Sequence, residues 1–402
     1  MDDDELCQRL LAVLRRVTDT PSLEFAGQPV RLHGGFWADL FAFRVEGATD
    51  GWDRELVARV MPDAGLAAKE TIIQAAVAAA GFPTPVVRAS GGADAGLGRA
   101  YMVMDRADGS PLLGGLDRVP VAQVPRLLAS IPETLAATMA ELHVLDPQPV
   151  ADKLRGCDRA MTESEFVEGL EAAATVFHRS DLAGAARWLL DYPPPEAPDV
   201  ICHGDLHPFN LLVDDTGQVT VLDWSAALIG PRTYDVAFTS LMLAEPPLLV
   251  GGALRPLLRA AGRLLSRRFV RRYRVHSGAT IDRSVLAWHQ AVVRLRALVE
   301  VAGWVDANGR GSRASSVVGE RSGVRSTFVQ DHRCAGARSL STPVFVSPSG
   351  RGWVSYMRTS TMTPEAAVSA ATVQMAASID TTSARTPASS APTANPPSRH
   401  NR

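Results

Sequence analysis

The chain's hydrophobic period is mainly that of strands up to about residue 104 and mainly that of helices from about Val121, and that shift limits the folds open to it. Within residues 29–60 the apolar residues come in short alternating runs, at 30–32, 40–45 and 56–60, with turn-forming breaks at Gly34-Gly35 and between Gly47 and Gly51. A period of two marks half-buried antiparallel strands. A single stretch rich in helix formers, 67–80, follows and stops at Gly81 and Pro83-Thr84-Pro85; residues 99–104 then read as a further strand. Ahead of this region, Leu6, Leu10, Leu11, Leu14 and Val17 sit at helical spacing and predict a leading helix. From about Val121 helices take over, at 131–144, 163–178, 182–190 and onward to about Val305. Strands gathered at one end and helices at the other predict an α+β chain of two unlike lobes.

The chain has 402 residues, of which 46% are hydrophobic and 21% charged, enough to bury a substantial core. A net charge of -2 gives no electrostatic reason to expect nucleic acid or an anionic membrane as partner. Cys7, Cys157, Cys202 and Cys334 are isolated and form no CxxC pair, which argues against a disulfide framework and suits a reducing compartment. The acidic start, Asp2-Asp3-Asp4-Glu5, is the reverse of a signal peptide, and the most apolar stretch, 72–87, is broken by Gly81, Pro83 and Pro85. The expectation is a cytoplasmic protein. Residues 306–402 are rich in Ser, Thr, Ala, Gly, Pro and Arg with little apolar periodicity, so they are expected to be a disordered or non-native low-complexity tail.

A compact insert interrupts the helices at 200–224. It reads as an apolar strand, the polar turn His203-Gly204-Asp205-Leu206-His207-Pro208-Phe209-Asn210, and a hairpin of 211–213 and 219–222 that ends in Asp223-Trp224. Phosphoryl transfer needs few parts: a carboxylate to accept or orient the nucleophile's proton, and oxygen ligands to hold Mg²⁺ on the phosphates. An Asp and an Asn five apart on one short loop can face the same phosphate, and a second Asp beyond a hairpin reaches the metal from a neighbouring strand end. That order matches protein-kinase logic.

Those three elements, with Gly230-Pro231-Arg232-Thr233-Tyr234-Asp235 after them, closely resemble the aminoglycoside phosphotransferase and choline kinase-like superfamily, over roughly residues 28–305. The resemblance implies a bilobal protein-kinase-like fold: a small β-rich nucleotide-binding lobe over 1–104 and a larger helical catalytic and acceptor-binding lobe over 105–305. It implies ATP and Mg²⁺, with Asp205 as catalytic base and Asn210 and Asp223 as Mg²⁺ ligands. Asp235 would brace the loop, His203 would hold its geometry, and His143 would be structural. Gly34 and Gly35 would lie in the phosphate-covering loop. Arg59 would take the place of the usual Lys on the α- and β-phosphates, with Glu70 as its ion-pair partner, and the backbone from Met102 through Met104 to Arg106 would be the adenine hinge. The partner would be a small-molecule hydroxyl substrate.

Two rival readings stand beside this one. His203, Asp205 and His207 have an H-x-D-x-H spacing that could surround a metal in a phosphoesterase. Alternatively, Arg59 in place of Lys could mark a non-catalytic nucleotide-binding pseudokinase. As to the acceptor, residues 236–305 hold only Glu245, Asp282 and Glu300 against eleven arginines. A cleft for a polycation needs more carboxylates, so a neutral or anionic metabolite is expected rather than an aminoglycoside. Arg255, Arg259, Arg263 and Arg267, spaced by four, are expected to form a solvated helix face.

Overall fold

A computed structural model describes residues 3–32, 38–48, 51–113, 124–157, 162–245 and 255–321. Helix α1 (Asp3–Val17) buries Leu6, Leu10, Val13 and Leu14, three and four residues apart, against a sheet. Strands β1 (Glu24–Phe25) and β4 (Val45–Glu46) pair with each other. Strands β2 (Val30–Leu32), β3 (Asp39–Phe43), β5 (Leu56–Met61), β6 (Val87–Gly91) and β7 (Ala100–Asp105) form a five-stranded antiparallel sheet in the order β2-β3-β5-β7-β6.

Side chains alternate across this sheet, and the alternation positions the first candidate site residue. Phe41, Phe43, Leu56, Ala58, Val60, Tyr101 and Val103 join the α1 leucines in one core cluster. The other face carries Met61, Ala100 and Met102, packed with Ala67 of helix α2 (Ala64–Ala79). Arg59, two residues before Met61 and opposite Met102, therefore shares the α2 face. Asp63 caps α2 by accepting the Leu66 N–H at 2.9 Å.

The second lobe opens with β8 (Ser110–Pro111) and helices α3 (Val124–Leu142), α4 (Gln148–Leu154), α5 (Glu163–Val176) and α6 (Ser180–Asp191). Four short strands follow, β9 (Asp199–Cys202), β10 (Leu211–Val213), β11 (Val219–Val221) and β12 (Leu228–Pro231). The β10–β11 hairpin takes β8 as its third strand, and β9 pairs with β12. Helices α7 (Arg232–Ala244), α8 (Arg255–Ser277) and α9 (Arg283–Arg321) complete the lobe. Helix α7 is buried nearly all round. Val236 and Leu243 enter one core cluster, and Tyr234, Ala237, Phe238 and Leu241 enter another, so this helix is the axis of the lobe. The lobes touch where the Val221 N–H donates to the Pro83 carbonyl at 2.8 Å.

The two-lobed α+β expectation is met. The strands at 30–32 and 211–213 fall where the sequence put them, and the longer elements differ from expectation by a few residues at their ends, except that the helix expected over 131–144 begins at Val124. Strand β6 went unpredicted because its sequence, Val87-Arg88-Ala89-Ser90-Gly91, has little apolar content; it is an edge strand, held by the Arg88 fork on the Asp105 carboxylate at 2.7 and 2.6 Å. One correction concerns the last helix, which was expected to end at about Val305 and instead continues to Arg321. The rest of the expected tail, 322–402, lies outside the described residues. Among the described residues no helix is long and apolar enough to cross a membrane.

Candidate active site

The site is built on the turn after β9. Gly204 has φ 73°, and a Cβ there would lie 2.3 Å from the Ala226 carbonyl oxygen, so both backbone and space require glycine. Asp235, fully buried in the first turn of α7, clamps this turn. Its carboxylate accepts the His203 N–H at 2.8 Å and the Gly204 N–H at 2.6 Å, and it lies 3.2 Å from His143 Nε2. A buried carboxylate with three donors is fully satisfied and holds the turn rigid. His143 is in turn fixed by the Tyr273 hydroxyl, 2.7 Å from Nδ1. Asp235 and His143 thus lie in contact with each other behind the turn.

His203 ties the turn to the hairpin. Its Nε2 is 3.0 Å from the Leu222 carbonyl, which can only accept, so Nε2 carries the proton; Nδ1 then accepts the Asp205 N–H at 3.2 Å. Burial pushes the His203 pKa below its ordinary value, with Asp235, Leu222 and Asp223 opposing, which favours this neutral form. With both ring nitrogens committed to backbone, His203 has no lone pair for a metal. The H-x-D-x-H phosphoesterase arrangement is therefore not present. Among the described residues the group with the spacing of a three-ligand metal site is His143, Cys202 and Asp235, of which His143 and Asp235 are held in the brace.

Asp205 is only 2% exposed. Asn210 donates its Nδ2 to the Asp205 carbonyl at 2.9 Å and to Oδ2 at 3.3 Å, which turns the Asn210 Oδ1 away from Asp205. Asp205 Oδ1 is buried and, among the described residues, accepts no hydrogen bond. Burial raises the Asp205 pKa above the ordinary carboxylate range, with His207 and Arg296 opposing.

Asp223 stands across from these two at the end of the hairpin. Its φ of 63° is unusual for a residue with a side chain, and the backbone is held there by Ser225, whose Oγ donates to Asp223 Oδ1 at 2.7 Å. Arg59 reaches the same oxygen at 3.3 Å and Glu70 Oε1 at 3.2 Å, so the pairing expected between Arg59 and Glu70 extends to Asp223. Burial would raise the Asp223 pKa, but Arg59 and Ser225 outweigh it and hold the carboxylate ionised. The contacts named here fall on Oδ1; Oδ2 of Asp223 and Oδ1 of Asn210 are hard oxygen donors of the kind Mg²⁺ takes.

Met104 lies in β7 between Val57 and Val87, on the same face as Arg59, with its sulfur 3.3 Å from Gln74 Nε2. Arg106 departs from expectation. Its N–H already donates to the Glu55 carbonyl at 2.9 Å and its guanidinium pairs with the Glu55 carboxylate, so the Arg106 N–H is not a spare donor for adenine. Gly34 and Gly35 lie outside the described residues. The three acids of 236–305 are all engaged, Glu245 with Arg294 at 3.5 Å, Glu300 with Arg296 at 3.1 Å, and Asp282 capping α9 through Ser284 and Val285. Arg259, Arg263 and Arg267 are exposed, the solvated face expected of that stripe.

One residue against Asp205 was not anticipated. Arg296, only 2% exposed, comes from α9 and reaches both the Gly204 carbonyl and Asp205. Its signal was present in the sequence as a charge, with Arg294 two residues before it and Glu300 four residues on, amid Val292, Val293, Leu295, Leu298 and Val299.

A small sheet lobe bearing the Arg59–Glu70 pair, over a helical lobe bearing an Asp–Asn loop and a hairpin Asp, defines a protein-kinase-like phosphotransferase. The model of the phosphotransferase enzyme family matches residues 30–273. The chain belongs to that family. No curated protein sequence matches it significantly. Among solved structures, one from Ralstonia eutropha assigned as an aminoglycoside phosphotransferase is 19% identical, with a TM-score of 0.54, over 76% of this chain and 90% of the other. A macrolide 2'-phosphotransferase type I is 17% identical over 75% of this chain and 94% of its own, with a TM-score of 0.49. An aminoglycoside phosphotransferase from Streptomyces rimosus, solved with ADP and streptomycin, is 18% identical over 73% and 99%, with a TM-score of 0.45.

Proposed function

We propose that the chain moves the γ-phosphoryl group of ATP to a hydroxyl of a neutral or anionic small molecule, with Asp205 as the base. The observation that carries this reading is the buried Asp205 Oδ1, which accepts no hydrogen bond among the described residues and has Arg296 Nη2 at 3.6 Å, while Asn210 holds the other oxygen. An acceptor hydroxyl would donate to that oxygen. As the hydroxyl oxygen bonds to the γ-phosphorus, its proton passes to Asp205, and the bond to the β,γ-bridging oxygen breaks with its electron pair leaving on ADP. The raised pKa of Asp205 suits it to take that proton. Asn210 Oδ1 and the Asp223 carboxylate would hold Mg²⁺, which when bound neutralises charge on the phosphates. Arg59, fixed by Glu70, would reach the phosphates with its planar fork.

The acceptor class rests on charge. A polycation must exchange its hydration for carboxylates on binding, and the three acids of 236–305 already serve Arg294, Arg296 and a helix cap. The Ralstonia structure is assigned as an aminoglycoside phosphotransferase; the engaged acids of this chain support a different acceptor class here. A coupled ATPase assay at low ionic strength, with aminoglycosides and a panel of neutral and anionic alcohols, tests the reading. Acceptor-dependent turnover with a neutral or anionic alcohol supports it. Robust turnover with aminoglycosides at a micromolar Michaelis constant overturns the acceptor class, and the absence of ATP turnover with every compound favours the pseudokinase alternative.

A further inference from the structure

Among the described residues, Arg296 on α9 is a charge buried to 2% exposure outside the residues expected from the kinase-like pattern. It is held on every side. Its Nη1 donates to the Gly204 carbonyl at 2.6 Å and lies 3.5 Å from the Tyr234 hydroxyl, Nε is 3.1 Å from Glu300, and the guanidinium carbon sits 5.3 Å over the Phe238 ring. Its Nη2 faces Asp205 Oδ1 at 3.6 Å. Both of these atoms are buried and hydrogen-bonded to nothing among the described residues. A buried cation beside a buried carboxylate costs more to assemble than an apolar pair of the same size, so stability does not explain it.

We propose that Arg296 is a positioning residue for phosphoryl transfer, a strut from the last helix that sets the direction of the Asp205 carboxylate. The inference rests on the reading of Asp205 as base. Asp235 fixes the turn from one side by taking the His203 and Gly204 N–H groups, and Arg296 fixes it from the other by taking the Gly204 carbonyl. Gly204 is thereby held at both its donor and its acceptor, one residue before the carboxylate. Glu300, one helical turn along, locks the guanidinium plane, and the Phe238 ring supports its face. Without the fork, Asp205 keeps its Asn210 contact but loses the partner that sets the direction of its carboxylate. Lysine cannot replace it, because a single ammonium cannot span Gly204, Asp205 and Glu300 at once.

The test uses the full chain and two variants, Arg296→Gln and the double variant Arg296→Met with Glu300→Leu, which removes both charges and keeps the site filled. ATP-binding stoichiometry by calorimetry, together with the melting temperature, confirms that each variant is folded. The expected result is a fall in kcat of about ten- to a hundred-fold, the scale of a misdirected catalytic group, with the KM for ATP within about two-fold of wild type. Hydrogen exchange of the 203–210 peptide should quicken by at least about ten-fold while peptides from α7 stay at the wild-type rate. A folded double variant with wild-type kcat, or with unchanged exchange at 203–210, overturns the proposal. The exchange readout needs no acceptor, so a wild-type protein that transfers phosphate to nothing would defeat the proposed function while the strut is still judged on its own measurement.

Discussion

Trp224 donates its indole Nε1–H to the Thr84 hydroxyl at 2.8 Å, joining the residue after Asp223 to the segment that ends α2. Thr84 passes the link on by donating to the Val221 carbonyl at 2.9 Å. Trp224 is fully buried, its ring edge-on to Phe82 at 5.7 Å and close to the His203 ring at 4.8 Å. One side chain therefore touches the segment after α2, the turn after β9 and the end of the hairpin.

Replacing Thr84 by Val keeps the volume but strips Trp224 Nε1 and the Val221 carbonyl of a partner. The expected loss is about 1–3 kcal/mol of unfolding free energy per unsatisfied group. Urea denaturation followed by tryptophan fluorescence measures it, and a variant as stable as wild type would show that the lobes are not joined through this hydroxyl.

Asn210→Ala and Asp223→Ala should each leave the protein folded and raise the Mg²⁺ concentration needed for half-maximal ATP consumption, because each removes an oxygen donor for a hard cation. Asp223→Ala also frees Arg59 from one of its two carboxylates. If both variants keep the wild-type Mg²⁺ dependence, the ligand assignment is wrong.

Stability should fall as pH drops below the ordinary histidine value of 6.5. His203 and His207 have folded pKa values below that value through burial, so the unfolded chain binds protons that the folded one does not. Each histidine then contributes a slope of up to about 1.4 kcal/mol per pH unit, running from the unfolded value down to the folded one. Protonation of His203 would also abolish its acceptance of the Asp205 N–H. Asp205, raised by burial, acts in the opposite sense over the range above its ordinary 3.8, so Asp205→Asn should steepen the fall. Denaturation midpoints compared at neutral and mildly acidic pH decide this, and a midpoint that is flat or rises on acidification contradicts it.

Much of the site could be read before the fold was known, because phosphoryl transfer fixes residue types at short range. Asp205 and Asn210 share one loop, and Asp223 follows one hairpin later, so local spacing carried all three. The Arg59–Glu70 pair was expected from the family resemblance, which places a basic strand residue opposite an acidic residue of the following helix, and not from periodicity alone. Its extension to Asp223 was not, since those residues are 164 apart in sequence and meet only when the lobes close on one another. Arg296 was missed for a related reason. Within its own helix it resembles one member of an i,i+4 surface pair with Glu300, and only tertiary packing puts that pair in the core. The hinge illustrates the reverse: the sequence around Arg106 resembles one, but its amide is spent on Glu55, a partner set by strand register rather than by motif.

Truncation after Val305 should change the melting temperature little, although α9 continues to Arg321. The buried apolar residues of that helix, among those described, run from Val292 to Ala302. A large fall in melting temperature would show that residues beyond Val305 pack on the lobe.

The most direct test is transfer of label from γ-³²P-ATP to an acceptor by wild type and by Asp205→Asn, with folding of both checked by circular dichroism. Asparagine keeps the shape and the contact to Asn210 but removes the basic carboxylate. Labelled product is expected from wild type with a neutral or anionic alcohol, with a loss of about two to four orders of magnitude in the folded variant. Transfer by Asp205→Asn at a near-wild-type rate would contradict the role of Asp205 as base.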